Sequence, residues 1–175
     1  MNTKLLHTER NTKMANSGSK LLSTTIALGA LLLAHSGTQA QAAAPLFTDP
    51  VVGTWNVVVD SWNCANNVPI SSGVASIGLF NADGTRHETN ATNPALRSPG
   101  YGNWHRVAKG EYEFAFKFYR FDATGANIGS TIIRHTLYLS PDGTEYYSIG
   151  PAEIVNPAGI VVFTACSEAT ATRFE

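Results

Sequence analysis

Apolar and polar residues alternate most regularly between residues 111 and 118. This segment reads Glu-Tyr-Glu-Phe-Ala-Phe-Lys-Phe, so an aromatic side chain occupies every even position. A period of two places alternate side chains on opposite faces of an extended strand, whereas a helix needs a period of about 3.6. The segment therefore predicts a β-strand with one buried aromatic face. The alternation slips at residues 119–121, where we expect a bulge or the rim of the sheet.

Similar runs recur along the chain and are separated by turn signals. The turns contain Asp-Gly, Lys-Gly, Thr-Gly or Asn-Pro-Ala-Gly sequences, which favour tight reversals. The runs between them predict strands near residues 51–60, 72–81, 85–90, 103–108, 111–122, 130–140, 144–154 and 160–174. Longer loops are expected at 61–71 and 91–102. Beyond the N-terminal region no segment has a helical period, so the pattern predicts an all-β antiparallel meander of eight strands.

Two further strands indicate which side chains face inward. In residues 133–139 the odd positions carry Ile, His, Leu and Leu, so His135 is expected to point inward with the apolar set. In the first strand Trp55, Val57 and Val59 share one face. The segments 72–90 and 144–154 do not resolve their faces by periodicity.

The first 42 residues differ from the rest of the chain. Basic residues precede an uncharged apolar run at 21–34, and a small-residue Ala-Gln-Ala sequence follows at 40–42. This combination predicts a secretory signal peptide cleaved after Ala42, and hence a secreted or periplasmic protein. The run is shorter than the roughly 20 residues that span a bilayer, although a retained membrane anchor is the alternative. We therefore expect a signal peptide at 1–42, a short linker at 43–50 and a single domain at 51–175.

Charge and composition narrow the possible partners. The chain has 12 Lys+Arg and 13 Asp+Glu, so no basic surface is expected and nucleic-acid binding is not predicted. A hydrophobic content of 43% argues against a disordered chain. No later apolar stretch is long enough to cross a membrane as a helix, so we expect no integral membrane span in the mature chain. The sequence does not indicate an oligomeric state.

The chain contains two cysteines, and their positions bear on topology. Export would place Cys64 and Cys166 in an oxidising compartment, so a disulfide is predicted, with two free thiols as the alternative. Trp55 and Arg173 fit the same antiparallel ladder as the cysteines within an offset of two residues. Pairing of the first and last strands would close the sheet into a barrel. A β-sandwich, the rival fold, would lack that pairing.

The sequence Gly53-Thr54-Trp55 on the first strand, with Arg173 on the last, resembles the calycin superfamily, in particular lipocalins. The layout also resembles secreted bacterial lipocalin-like proteins. This resemblance implies an eight-stranded antiparallel up-and-down barrel in which Gly53, Trp55 and Arg173 have structural roles. Trp55 would plug one end, and the guanidinium of Arg173 would stack on its indole ring.

Few residues offer catalytic or metal chemistry. His87, His105 and His135 lie on predicted strands, but their spacing matches no metal motif, so no metal site or cofactor is predicted. Haem ligation by His135 is a minor alternative. No nucleophile motif is present, and His135 and Glu88 are the only candidates for acid–base catalysis. A hydrogen-bonded core histidine is the favoured interpretation.

The interior of the barrel could be filled by side chains or could hold one small ligand. The aromatic row of residues 112–118 allows either, so we expect a small cavity or a shallow one near the mouth. Arg97 could meet a ligand carboxylate while Tyr101 covers the apolar body of the ligand. The candidate ligand-binding residues are Phe114, Phe116, Phe118, Leu137, His135, Trp104, Arg97 and Tyr101.

The sequence thus predicts a secreted barrel that binds a small hydrophobic or amphipathic molecule. One alternative is a packed barrel that acts through its outer surface as a binding or inhibitory module. That alternative predicts no cavity and an exposed aromatic patch around Trp62 and Tyr101. The other is a barrel isomerase or cyclase on an apolar substrate, which needs an inward ionisable residue with a perturbed pKa. Enzyme activity is the less favoured prediction.

Overall fold

The chain folds into strands joined by short turns. A computed structural model describes residues 48–175, so the predicted signal peptide at 1–42 and most of the predicted linker at 43–50 lie outside the described residues. A short 3-10 helix occupies Pro94–Leu96. The strands are β1 (Gly53–Asn63), β2 (Pro69–Phe80), β3 (Thr85–Asn90), β4 (Gly100–Ala108), β5 (Glu111–Phe121), β6 (Asn127–Leu139), β7 (Glu145–Val155) and β8 (Val161–Arg173).

The eight strands form one closed barrel. Each strand pairs antiparallel with the next along the chain, and β8 pairs with β1. The β1–β8 ladder runs without a register shift from Trp55 opposite Arg173 to Asn63 opposite Ala165. This ladder confirms the predicted all-β, up-and-down barrel and excludes the β-sandwich, which has no such pair.

Strand boundaries differ from the prediction where the strands are polar. β1 continues to Asn63 and β2 begins at Pro69, so the connection is shorter than the predicted loop at 61–71. The hydroxyls of Ser61 and Ser71 lie 2.7 Å apart and link the two strands there. Backbone pairing therefore extends beyond the apolar run that marks a strand in the sequence. A register shift between Arg120 and Phe121 falls where the alternation slips.

The meander places its connections alternately at two ends of the barrel, which differ in how they are filled. One end carries the segment 48–52 and the turns 81–84, 109–110 and 140–144, and we call it the closed end. The open end carries the loops 64–68, 91–99, 122–126 and 156–160. The closed end contains the largest buried aromatic side chains, so any internal space must lie toward the open end.

Trp55 seals the closed end. Its side chain is fully buried, and its Nε1 donates a hydrogen bond to the carbonyl of Val51 at 2.9 Å. The guanidinium carbon of Arg173 lies 4.3 Å from the centre of the indole ring. Arg173 also donates to the carbonyls of Val52 and Gly143, both at 3.0 Å. The segment before β1 is thereby held across the base of the barrel.

Small residues decide how closely the strands approach each other. A Cβ on Gly150 would lie 2.0 Å from the carbonyl oxygen of Arg134, so only glycine lets β7 pass β6 at this distance. A Cβ on Gly100 would lie 2.7 Å from the ring of Phe116. The inward positions of β8 are also small, namely Ala165, Ser167, Ala169 and Ala171. The small volume of these side chains leaves space in the interior for the large aromatic side chains of β5.

A disulfide joins β8 to the residue that follows β1. Cys64 and Cys166 are bonded, with their Cα atoms 5.1 Å apart, which confirms the predicted bridge. Cys166 pairs with Trp62 in the β1–β8 ladder. The bridge therefore runs diagonally from Cys166 to Cys64, which lies two residues after Trp62. Disulfides persist in oxidising compartments, so the bridge fits a periplasmic or extracellular protein. No helix within residues 48–175 is long and apolar enough to cross a membrane.

The bridge should contribute measurably to the stability of the closed barrel. It links residues 102 positions apart, and removing a native disulfide from a small domain typically costs about 2–5 kcal/mol. We predict that the free energy of unfolding of the double variant Cys64→Ser/Cys166→Ser is lower by that amount, so that its urea midpoint falls below that of the wild type. Wild-type protein treated with a reductant should unfold like the variant. Equal urea midpoints for the oxidised wild type and the variant would contradict this role.

Candidate functional site

The half of the barrel toward the open end contains a cavity of about 200 Å³. Side chains from every strand except β4, together with Arg97 of the loop before β4, line it. About half of these side chains are apolar, and the others carry polar groups. The lining residues that matter for its chemistry are Ser76, Arg86, Glu88, Arg97, Phe114, Phe116, Phe118, His135, Ser148 and Ser167. An apolar cavity with a few fixed polar groups is typical of small-molecule sites.

The aromatic wall of the cavity comes from β5. Phe114, Phe116 and Phe118 point inward from alternate positions, and their neighbouring rings stack with centroids 6.1 and 6.4 Å apart. The strand alternates as its sequence predicts, so these rings form a continuous apolar surface along the axis of the barrel. Two arginines lie against this surface.

Arg86 of β3 is the most deeply buried charged residue of the site. It is 3% exposed, and its guanidinium carbon lies 3.9 Å from the ring centre of Phe114 and 4.2 Å from that of Phe80. Its Nε and Nη1 atoms have no hydrogen-bond partner. Burial lowers the pKa of Arg86 from its usual range, and the nearby Tyr146 and Glu88 oppose this effect. A guanidinium nevertheless stays protonated at neutral pH.

Glu88 and Arg97 form a buried ion pair beside the cavity. Nη2 of Arg97 donates to Oε2 of Glu88 at 2.6 Å, and Nη1 donates to Oε1 at 3.3 Å. The two side chains are only 8% and 7% exposed. The hydroxyl of Ser76 also donates to Oε1 of Glu88, at 2.7 Å. The guanidinium of Arg97 lies 3.8 Å from the ring centre of Phe118. The carboxylate is therefore bound on both oxygens.

His135 of β6 is held between two serines. Its Nδ1 lies 3.0 Å from the hydroxyl of Ser148, and its Nε2 lies 2.7 Å from that of Ser167. Burial, together with the charge of Arg86, lowers the pKa of His135 to about 3. The imidazole is therefore neutral at neutral pH, with one ring nitrogen donating and the other accepting.

The cavity brings together five of the eight residues predicted to bind a ligand. Phe114, Phe116, Phe118, His135 and Arg97 all line it.

The other three lie elsewhere. Leu137 is fully buried in the core nearer the closed end, and Trp104 donates to the carbonyl of Asn81 in a closed-end turn. Tyr101 is 60% exposed and packs on His87 at the outer surface. Tyr101 therefore does not cover the cavity, because it lies on an outward position of β4 and not in the predicted loop at 91–102.

Sequence reasoning missed the polar residues of the site other than His135, Arg97 and Glu88. Arg86 lies two positions before Glu88 and therefore shares its inward face in β3. This spacing was the available signal, but β3 has no apolar residue to mark which face is buried. Ser148 and Ser167 were not distinguishable from outward serines, because β7 and β8 carry apolar residues on both faces.

The other two histidines within residues 48–175 are at the surface. His87 packs on Tyr101, and His105 lies 3.5 Å from a carboxylate oxygen of Glu113 with both side chains exposed. Residues 48–175 contain no group of three or more His, Cys, Asp or Glu side chains arranged to hold a metal ion. The two acid–base candidates, His135 and Glu88, line the cavity. Each is already hydrogen bonded to other residues of the barrel.

Fold and site together define a closed antiparallel barrel that surrounds a small apolar cavity with a buried polar side. No protein-family model matches this chain, and no curated protein matches its sequence. The likeness to calycins therefore depends on the barrel topology and on the contact between Trp55 and Arg173 at the closed end.

The buried neutral histidine predicts a specific loss of stability in acid. The pKa of His135 is about 3 in the folded barrel against an ordinary value of 6.5, so below pH 6.5 the unfolded chain takes up a proton that the folded barrel does not. This residue should lower the free energy of unfolding by up to about 1.4 kcal/mol per pH unit between those values. The loss stops as pH falls below the folded pKa.

Urea unfolding at pH 7 and pH 4.5 measures this effect. The drop in stability between the two pH values should be smaller in His135→Gln than in the wild type. The control His105→Gln alters a histidine whose side chain is 68% exposed, so it should leave the drop unchanged. An equal drop in the wild type and His135→Gln would show that His135 titrates normally.

Proposed function

We propose that the barrel binds a compact amphipathic molecule in its internal cavity and acts as a lipocalin-like binding protein in the periplasm or outside the cell. The cavity itself carries this proposal. It combines the apolar wall of Phe114, Phe116 and Phe118 with buried polar groups on other strands. Such a combination can orient a ligand that has an apolar body and one polar end.

The volume limits the size of the ligand. The cavity of about 200 Å³ is smaller than the roughly 300–1,000 Å³ of sites for drug-sized ligands. A short acyl chain or a single small ring system fits this description better than a long lipid or a haem group. Both nitrogens of His135 are also hydrogen bonded to serines, which disfavours the haem alternative.

The cavity favours ligand binding over the surface-acting barrel, because a fully packed interior was the premise of that alternative. The enzyme alternative gains little support. An acid or base needs a pKa near the operating pH, whereas the pKa of His135 is lowered to about 3. Both oxygens of Glu88 already accept hydrogen bonds from Arg97, and one of them also accepts from Ser76.

Filling the cavity should weaken binding without unfolding the protein. Ala169 is 6% exposed and lines the cavity from β8, so leucine at this position would project into the space that a ligand needs. We predict that Ala169→Leu weakens the binding of 1-octanol or octanoate by about tenfold or more, measured by calorimetric titration of the oxidised protein. Ala75→Leu makes the same change at an exposed position of β2 and is the matched control.

The two variants separate cavity binding from surface binding. Equal affinities of the wild type and Ala169→Leu would place the ligand outside the cavity. Failure of the wild type to bind either probe would contradict the proposed function for ligands of this size.

A further inference from the structure

Positive charge exceeds negative charge around the cavity. The ionisable residues that line it are Arg86, Glu88, Arg97 and His135. His135 is neutral at neutral pH because burial keeps its pKa low. Two arginines therefore face a single carboxylate, and the cavity has one uncompensated positive charge.

The carboxylate of Glu88 is committed to Arg97. Its two oxygens accept hydrogen bonds from both terminal nitrogens of Arg97, and Ser76 donates to one of them. Within residues 48–175 Arg86 forms no ion pair. Glu88 contributes to the electrostatic environment of Arg86, but it does not form a direct ion pair with it.

Stacking holds the guanidinium of Arg86 without satisfying its hydrogen bonds. The rings of Phe80 and Phe114 lie within 4.2 Å of its central carbon, and that of Phe116 lies at 5.3 Å. Cation–π contacts of this kind offset only part of the cost of burying an unpaired ion. Nε and Nη1 still form no hydrogen bond of normal geometry. The neighbouring hydroxyl of Tyr146 interacts with the guanidinium, but this hydroxyl is neutral and supplies no counter-charge.

From this arrangement we infer that Arg86 is the anchor for the acidic group of the ligand, and that the ligand is a small apolar carboxylic acid. A guanidinium presents parallel N–H groups that match the two oxygens of a carboxylate. The bound acid would supply the missing negative charge. Its apolar body would lie along Phe116 and Phe118 toward the open end. This inference rests on the proposed function and specifies the ligand class for the same cavity.

A matched series of ligands tests the inference on the unaltered protein. The full chain, purified in the oxidised state, is titrated calorimetrically with octanoate, 1-octanol and octylamine at neutral pH. These probes share an apolar chain and differ in the charge of the head group. We expect octanoate to bind about tenfold or more tightly than octanol, because a charge-assisted hydrogen bond contributes more than a neutral one. Octylamine should not bind measurably, because its ammonium would approach an unpaired cation.

A substitution at Arg86 then assigns the preference to this residue. Arg86→Met keeps an unbranched side chain that fills the space as far as the Nε position, and it removes the charged end of the guanidinium. We expect it to weaken octanoate binding by about 10- to 100-fold and to change octanol binding by less than about threefold. Lys109→Gln removes one positive charge from an exposed closed-end turn and should alter neither affinity. If Arg86→Met does not fold, the ligand series on the wild type decides alone.

The outcomes separate the inference from the proposed function. Equal binding of octanol and octanoate by the wild type, or undiminished octanoate binding by Arg86→Met, overturns the role of Arg86 and leaves cavity binding standing. Absence of binding by all three probes overturns both. A selective loss of octanoate binding in Arg86→Met, with octanol binding preserved, establishes the anionic anchor.

Discussion

Pairing between β1 and β8 is the constraint on which the rest of the structure depends. Nine consecutive residue pairs form this ladder, and it converts an open meander into a closed barrel. Each end of the seam has its own reinforcement. The guanidinium of Arg173 packs on Trp55 at the closed end, and the Cys64–Cys166 bridge lies toward the open end. Without closure, the inward faces of the strands would not enclose a space.

What that space contains follows from the distribution of large and small side chains. The closed end is filled by aromatic rings, whereas the small inward alanines and serine of β8 leave the cavity unfilled toward the open end. The polar groups around this room form separate sets. Arg97, Glu88 and Ser76 satisfy one another, as do His135, Ser148 and Ser167. Arg86 belongs to neither set, and its charge has no ion-pair partner within residues 48–175.

The sequence predicted the topology better than the site, for a physical reason. Alternation fixes the face of a side chain but not its height along the barrel axis. Phe116 and Leu137 both point inward as their patterns indicate, yet Leu137 lies in the core nearer the closed end and only Phe116 reaches the cavity. The barrel and its disulfide could be predicted from the sequence, because apolar runs, turn residues and two cysteines specify them directly. Arg86 was not, because the six residues of β3 contain no apolar side chain to indicate the buried face.

If the cavity binds a small apolar acid, native mass spectrometry should detect the complex. Protein exported to an oxidising compartment and purified without detergent should carry a co-purified mass that disappears on denaturation. The released molecule should be a compact carboxylic acid. If no molecule co-purifies, added octanoate should form a complex of one ligand per protein. A protein mass that remains free of ligand after incubation with octanoate would contradict this prediction.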